Sequence, residues 1–472
     1  MHIAFGSDGY RGEIGHTLTK EAVARIVLGT AAYIKDGSAG GRSAVIPIGY
    51  DTRFLAKQFA GLAGRLLLEA GLKPQLAHRA CPSPYLSFAV RHLGAPLGIQ
   101  ITASHNAALY GGIKLKGDYG GSLLPDAVGQ IEAQANAIPQ ESFADQPLIG
   151  RKLELPKFNV EADYVKAITG AAAWKGDKQL PLAVDYMHGT GAGIYRDVLA
   201  EAFDVTLQLH AKPDPLFGGC KPEPLAAHLS ELSQRLSYEG NPAVGLAFDG
   251  DGDRLAVVDE LGVYLASHEI FCVLLEHLTT HLGKKGLVAT SVSFSGLVQR
   301  VAEAHSCVVY DVPVGFKNVS QAIVELHAIM GGEESGGTGF GHYMPERDAL
   351  LMALMLLHAR QLAGTTLHEM VADIYRRFGK PFFLHQDLPL PAGTDSREFK
   401  LRLRSLANLT DVAGDTVDSL NHSDGMKLRT ADGWVLVRAS GTEPLARIYA
   451  EGRDEAQARA YAQAVAAYLG LG

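Results

Sequence analysis

The sequence predicts an α/β protein with mainly parallel sheets, ending in a smaller α+β unit. Three observations carry this reading. Short β-rich runs alternate with helix-length segments for most of the chain, the alternation stops near the carboxyl end, and 472 residues exceed what one hydrophobic core holds together. Roughly three or four domains of ~100 to 150 residues follow from the length.

The first elements lie before residue 105. AVIPIGYD (44–51) has the apolar, β-branched character of a buried strand, AKQFAGLAGRLLLEAGL (56–72) has helical apolar spacing closed by Gly71, and PLGIQITAS (96–104) is another strand. The same pattern recurs in LPLAVDYMHGTGAG with IYRDVLAEAF, in VGLAFDGD, and in GLVATSVS, GLVQRVAEAHS and CVVYDVPVG. In such an architecture ligands sit at the carboxyl ends of the strands. Near the end, GMKLRT, GWVLVRAS and ARIYAEG read as short strands joined by tight turns such as ADG, and DEAQARAYAQAVAAYLG reads as a closing helix capped by Asp454. Breaks near 136–157, 255–265 and 378–383 divide the chain into domains at 1–150, 151–256, 257–375 and 376–472.

Apolar residues at 47% and charged residues at 20% are ordinary for a globular chain, and a net charge of −8 argues against a dedicated nucleic-acid binder. Cys81, Cys220, Cys272 and Cys307 are widely spaced and form neither a disulfide framework nor a zinc knuckle, which fits a reducing cytoplasm. The start MHIAFGSDGYRG has no secretory pattern, and no apolar run of about 18 residues is present, so neither secretion nor membrane insertion is expected.

Four stretches carry chemistry. In FDGDGDRLAVVDE (248–260), Asp249, Asp251 and Asp253 alternate with glycines, so a tight loop can turn three carboxylates toward one point. Hard oxygen donors without His or Cys select Mg²⁺, Mn²⁺ or Ca²⁺ over zinc. With Glu260 the spacing also matches a calcium EF-hand, but Arg254 stands where that loop needs glycine and the following residues read as a strand. ITASHNAALYGGIKLK (101–116) sets Ser104 and His105 beside Asn106, Gly111 and Gly112, with Lys114 and Lys116 alternating with apolar residues as on a strand. Taken alone, Ser104 could equally be a turn residue or helix cap.

VRASGTEPLARIYAEG (437–452) offers Arg438, Ser440, Gly441, Thr442 and Arg447 as donors to one dianion, and arginine fits phosphate bidentately; an ordinary polar hairpin is the alternative. In GGEESGGTGFGHYMPERDALL (331–351), Glu333 and Glu334 could accept hydrogen bonds from vicinal sugar hydroxyls, with Ser335 following. A glycosidase pair would flank a bond instead, a task for which adjacent residues on one loop are badly placed. Arg347 and Asp348 are expected to begin the next helix, whose run ALLMALMLLHARQL is core-forming.

In this order the four stretches resemble the α-D-phosphohexomutase superfamily of phosphoglucomutases and phosphomannomutases, and the resemblance covers the whole chain. It implies three related α/β domains with mixed sheets plus a C-terminal α+β domain around a central cleft. By the same resemblance Ser104 is the phosphorylated serine and, with Asp249, Asp251 and Asp253, a Mg²⁺ ligand. Lys114 is the proton-transfer residue, assisted by Arg11 of DGYRG, His105 and Arg254. Glu333 and Ser335 grip the sugar hydroxyls, Lys317 and His342 add ligand contacts, and Arg438, Ser440, Gly441, Thr442 and Arg447 hold the non-reacting phosphate. The implied reaction interconverts hexose 1- and 6-phosphates through glucose 1,6-bisphosphate or its analogue, in a monomer or homodimer.

One departure is visible. Ala107 stands where the serine motif usually has proline, so the loop loses a fixed φ. GEESGG is closer to phosphoglucomutase-like members than to dual-specificity ones, which favours glucose over mannose or glucosamine. Two other classes stay open on the residues: a zinc-dependent phosphoserine hydrolase, for which no histidine set in metal spacing stands out, and a non-catalytic calcium binder.

Overall fold

The computed structural model describes residues 2–6, 8–38, 40, 44–143, 147–148, 154–174, 176–238, 243–390, 396–440 and 445–471. The first domain runs β1 (Tyr10–Glu13), α1 (Lys20–Lys35), β2 (Val45–Tyr50), α2 (Ala56–Glu69), β3 (Lys73–Ala77), α3 (Ser83–His92), β4 (Leu97–Ile101), β5 (Tyr110–Gly117), α4 (Pro125–Ala137) and β6 (Lys157–Phe158). The second holds α5 (Glu161–Ala171), β7 (Asp177–Asp185), α6 (Ile194–Ala202), β8 (Phe203–Leu209), α7 (Ser230–Tyr238), β9 (Val244–Phe248), β10 (Leu255–Val258) and β11 (Tyr264–Leu265). In the third are α8 (Ser267–Thr280), β12 (Leu287–Ser291), α9 (Gly296–Ala304), β13 (Val308–Val312), α10 (Phe316–Glu325), β14 (Met330–Gly332), β15 (Thr338–Phe340), β16 (Met344–Arg347), α11 (Ala349–Ala363) and α12 (Leu367–Phe378).

These three domains share one topology. Their sheets run β1-β5-β4-β2-β3-β6, β11-β10-β9-β7-β8 and β13-β12-β14-β15-β16, so β2 to β5, β7 to β10 and β12 to β15 occupy equivalent places. The first three strands of each set are parallel and the fourth is antiparallel. The connections explain why the sheets are mixed rather than mainly parallel. Parallel neighbours need a crossover of a dozen or more residues, supplied by helices, whereas the short loops after β4, β9 and β14 can join only antiparallel strands. The serine, metal and sugar stretches are those three loops. The sheets also run past two expected breaks: β6 pairs with β3 beyond residue 150, and β10 and β11 complete the second sheet beyond 256.

The fourth domain is an antiparallel sheet, β17 (Phe382–Pro389), β20 (Ser419–Asn421), β21 (Met426–Arg429), β22 (Trp434–Ala439) and β23 (Leu445–Gly452), in the order β17-β23-β22-β21-β20. A small hairpin, β18 (Asp411–Val412) and β19 (Asp415–Thr416), and helices α13 (Ser396–Leu403) and α14 (Glu455–Tyr468) complete it. Asp454 caps α14, accepting from the N–H of Gln457. One apolar cluster runs through the first three domains, from Ile3 to Ile374, while the fourth has its own, from Phe399 to Leu471. Val292 of the third domain packs with Trp434, Leu436 and Tyr449 of the fourth in a separate small cluster. Among the described residues no single helix is long and apolar enough to cross a membrane.

Candidate active site

Ser104 sits in the hairpin loop between β4 and β5, fully buried and with a backbone φ of +53° that a non-glycine residue adopts only under constraint. The constraint is Arg53. Its Nη2 donates to the carbonyls of Ser104 at 2.6 Å and Asn106 at 2.5 Å, and its Nη1 to those of Ala107 at 2.8 Å and Tyr110 at 2.9 Å. Nε donates to Asp51 at 3.1 Å, so all five guanidinium donors are used, and the Phe217 ring lies 4.7 Å beneath. A proline fixes one dihedral angle; this arginine ties four carbonyls of the loop together.

The metal loop closes on the serine. Asp249, Asp251 and Asp253 are fully buried, and each offers an oxygen within 4.8 Å of the others. Ser104 Oγ donates to Asp249 Oδ2 at 3.1 Å, while Asp249 Oδ1 accepts from the N–H groups of Asp253 and Arg254. A side chain at Gly250 would meet the Ser104 carbonyl at 2.6 Å, so the two loops can touch only through glycine. Asp251 Oδ1 and Asp253 Oδ1 are buried without hydrogen-bond partners. Orphaned carboxylate oxygens converging from three hard donors fit a divalent cation such as Mg²⁺.

Lys114, on β5, reaches into the same cluster. Its Nζ lies 2.8 Å from Asp8, 2.9 Å from Asp251 and 2.8 Å from Asp253. Burial works to lower the lysine's pKa, but Asp251, Asp253 and Asp8 together raise it above its ordinary value, so it is held as an ammonium. Burial pushes the Asp249 carboxyl up, with Asp253 and Asp251 adding to the effect. The imidazole of His105, 3.3 Å from Ser104 Oγ through Nδ1, is pushed well down by burial and by Arg254, and is neutral. Arg11 Nη1 donates to Asn106 at 2.7 Å, and Arg254 lies 3.8 Å from Glu223 and 4.0 Å from Asp253. All five catalytic candidates therefore gather around the aspartates, Ser104 and Lys114 buried, Arg11 and His105 partly exposed.

Arg347 does not begin a helix. It ends β16, fully buried, with Nη2 2.6 Å from Asp8 and 2.7 Å from Asp253, Nη1 3.6 Å from Glu333, and the Phe316 ring 4.9 Å below. Asp348 alone caps α11, accepting from Leu351. Lys116, two residues past Lys114 on the same face of β5, forms a buried pair with Glu346 of β16, so alternate residues of one strand tie the first domain to the second, through Lys114, and to the third, through Lys116.

The sugar loop follows β14. Glu333 accepts from the N–H of Gly315 at 2.8 Å, at the start of α10, with Lys317 in that helix's first turn; Ser335 lies in the turn closed from Gly336 to Glu333. Glu334 is turned elsewhere: its carboxylate accepts from Ser291 at 2.9 Å and Ser293 at 2.6 Å and is engaged by the protein itself. His342 also departs from the expected set. The antiparallel strand β15 carries the chain away from Glu333, and the turn beyond it places His342 Nε2 3.1 Å from the Ala171 carbonyl at the end of α5.

In the fourth domain Arg438 and Arg447 are register partners on β22 and β23. Asp424 lies 2.9 Å from Arg438 and Asp387 3.8 Å from Arg447. Tyr449, on β23 two residues past Arg447, is pushed up to about 12 by burial and by the Glu334 carboxylate, while both arginines act to lower it. Ser440 donates its N–H to Leu445, while Gly441 and Thr442 lie outside the described residues.

Four segments of the chain match, in order, the domains of the phosphoglucomutase/phosphomannomutase family: alpha/beta/alpha domain I over residues 2–142, domain II over 162–262, domain III over 266–378 and the C-terminal domain over 397–468. A phosphoglucosamine mutase from Pseudomonas putida is 30% identical over 490 residues, covering 98% of this chain and 97% of that protein. The chain belongs to the phosphoglucomutase/phosphomannomutase family. A phosphoglucomutase/phosphomannomutase from Thermococcus kodakarensis is 28% identical over 469 residues, 98% of this chain and 97% of that one. The crystal structure of a phosphoglucomutase/phosphomannomutase family protein from Burkholderia thailandensis has the same fold, with a TM-score of 0.81 at 20% identity over 99% of this chain and 98% of that one. The family is one of phosphohexomutases, so this chain is an isomerase that acts by phosphoryl transfer.

Within that family frame, Arg53, Asp8, Glu223 and Arg347 are the site residues that the motifs alone do not mark. Arg53 and Asp51 had a usable signal, since both follow β2, whose carboxyl end lies beside that of β4 through the pairing of Tyr50 with Ile101.

Proposed function

We propose that the chain interconverts hexose 1-phosphate and hexose 6-phosphate, with glucose as the preferred sugar, through a phosphorylated Ser104. The observation that carries this is the contact of Ser104 Oγ with Asp249 inside a buried cluster of three converging aspartates and Lys114. A serine placed there needs no neighbouring base if it already carries a phosphoryl group. The sugar hydroxyl oxygen would form the new bond to phosphorus as the bond to Ser104 Oγ breaks, giving the hexose 1,6-bisphosphate. After the sugar turns over, its other phosphate returns to Ser104.

Asp249, Asp251 and Asp253, with an oxygen of the phosphorylated Ser104, would hold Mg²⁺, which when bound supplies charge neutralisation to the moving phosphoryl group. Lys114, held as an ammonium, is suited to give a proton to Ser104 Oγ as it leaves and, once neutral, to take up the proton that the attacking hydroxyl releases, with Arg11, His105 and Arg254 lining the same phosphate. Glu333 and Ser335 would receive the sugar hydroxyls beside Lys317, and Arg438, Ser440, Gly441, Thr442 and Arg447 the non-reacting phosphate. Because one phosphate site must accept either end of the intermediate, the sugar is recognised in two orientations. Preference for glucose rests on the GEESGG loop; relatives named for glucose, mannose and glucosamine phosphates make the other two sugars the competitors. We place the enzyme in the cytoplasm, as a monomer or homodimer.

The test is a Mg²⁺-dependent isomerisation assay on glucose 1-phosphate, mannose 1-phosphate and glucosamine 1-phosphate in parallel, primed with a trace of glucose 1,6-bisphosphate. Conversion of glucose 1-phosphate that disappears in Ser104→Ala is expected. Release of free phosphate in place of isomerisation would assign hydrolysis instead, and faster turnover of another sugar would reassign the substrate.

A further inference from the structure

Away from this cluster, at the seam between the second and third domains, three imidazoles meet. His277 and His281 stand four residues apart at the end of α8, where the N–H of His281 still bonds the carbonyl of His277, so both side chains lie on one helical face. His358 comes from α11. The His277 ring centre is 5.4 Å from that of His281 and 5.0 Å from that of His358. His277 is 2% exposed, and both of its ring nitrogens are buried without a hydrogen-bond partner. A buried polar group left so is rare in native folds and points to an ion or water that satisfies it.

We propose that His277, His281 and His358 bind a divalent d-block cation, with Zn²⁺ as the type. Two imidazoles bound tetrahedrally at ~2.0–2.1 Å place their ring centres about 5 Å apart, which is the spacing of the two pairs that His277 makes. Among the described residues only the three aspartates already hold their ligand atoms within 4.8 Å of one another. The histidines need ring rotation about the Cβ–Cγ bond, which turns the nitrogens while leaving the ring centres nearly in place. His358 is prepared for ligation: its Nδ1 donates to the Ala172 carbonyl at 3.0 Å, leaving the Nε2 lone pair available. Burial, followed by His358 and His281, holds His277 down at about 4, so it is a neutral donor at physiological pH.

The surroundings favour a cation. His277 and His281 belong to the last turn and C-cap of α8, and His358 bonds the Ala172 carbonyl at the end of α5, so each of these helix ends offers the negative pole of its dipole to these imidazoles. Glu276 is occupied by Arg377 and His305 and stays outside the ligand set. A cavity of about 600 Å³, lined by His277, His281, Ala359, Ala363 and Met370, adjoins the cluster and leaves room for a fourth ligand from solvent. Nitrogen ligands distinguish this site from the all-oxygen aspartate loop, because imidazole selects zinc, cobalt or copper over magnesium.

The experiment uses the full chain, stripped with a chelator and returned to saturating Mg²⁺ so that the aspartate loop is filled. Co²⁺ is then titrated and followed by visible absorption, where tetrahedral nitrogen-ligated cobalt absorbs strongly and six-coordinate oxygen-ligated cobalt only weakly. One tetrahedral equivalent per chain is expected, displaced by Zn²⁺ and weakened about a hundredfold in both His281→Ala and His358→Ala. Thermal melts of the metal-free variants verify that they fold, and His281 is exposed enough for its replacement to be mild. Absence of the band, or its survival in either variant, overturns the proposal whatever the isomerase assay gives.

Discussion

The serine cluster and the arginine pair of the fourth domain are built on opposite plans. Lys114 is 2% exposed among fully buried aspartates, within the apolar cluster that runs through three domains. The side chains of Arg438 and Arg447 are 14% and 30% exposed, each near a partly exposed aspartate, on a domain with its own core. Where charge moves, dipoles and ions fixed in a dry site act most strongly. Where, in the proposed reaction, the intermediate would turn over and be bound again, donors whose carboxylate partners face water can exchange them for a phosphate. The bonds between the third and fourth domains are specific: Glu451 accepts from Ser295 and Gly296, Arg429 reaches Asp311, and Lys427 donates to the Val292 carbonyl over the Trp434 ring.

The strongest way to break this contrast is to loosen the rigid half without touching a reacting group. Arg53→Met removes the clamp on the carbonyls around Ser104 and should lower kcat by about a hundredfold, the scale of a misplacement near 1 Å, with KM little changed. Arg53→Lys should not rescue it, since an ammonium has three donors and no planar fork. Initial rates measured well below the melting temperature of each variant separate misplacement from unfolding. A loss confined to KM would mean that Arg53 serves binding and that the serine loop holds its shape alone.

The open half should fail differently. Arg438→Met or Arg447→Met removes charge-assisted hydrogen bonds to the proposed non-reacting phosphate, and kcat/KM should fall roughly 10- to 100-fold, mostly through KM. Stability should change less for Arg447→Met, whose side chain is 30% exposed, than for Arg438→Met, which also removes the partner of Asp424. Inorganic phosphate added to the variants would sharpen the result: competitive inhibition should weaken in step with KM. Equal loss in kcat would place the arginines in the chemical step and erase the distinction.

What could be read from the sequence follows the same divide between local and distant causes. The aspartate loop was legible because alternating glycines and carboxylates converge through local turns alone. Ser104 was legible by its neighbours, and the cap at Asp454 by its position before a helical run. Asp8 and Arg347 were not, and Arg53 was marked only as following a predicted strand, since each reaches the cluster by strand pairing: β2 beside β4, β1 beside β5, and β16 ending level with Gly339. His342 misled for the converse reason. It is near Glu333 in sequence, but three residues of extended strand carry the chain about 10 Å away before it turns. The hairpins that make the sheets mixed are visible only once the loop lengths after β4, β9 and β14 are read as too short for crossovers.

The smallest expected effect tests whether arginine and proline do the same work. The Ala107 N–H donates no hydrogen bond among the described residues, so Ala107→Pro forfeits none there and should stabilise the chain by about 0.4–1 kcal/mol through the unfolded state, with kcat nearly unchanged. In the Arg53→Met background the two outcomes part. If the proline's fixed φ and the arginine's grip on four carbonyls restrain the same motion, Ala107→Pro should recover part of the lost kcat, and the double mutant will be faster than Arg53→Met alone. If the effects on kcat simply multiply, proline and arginine restrain different parts of the loop, and the left-handed turn at Ser104 depends on Arg53 with or without a proline three residues on.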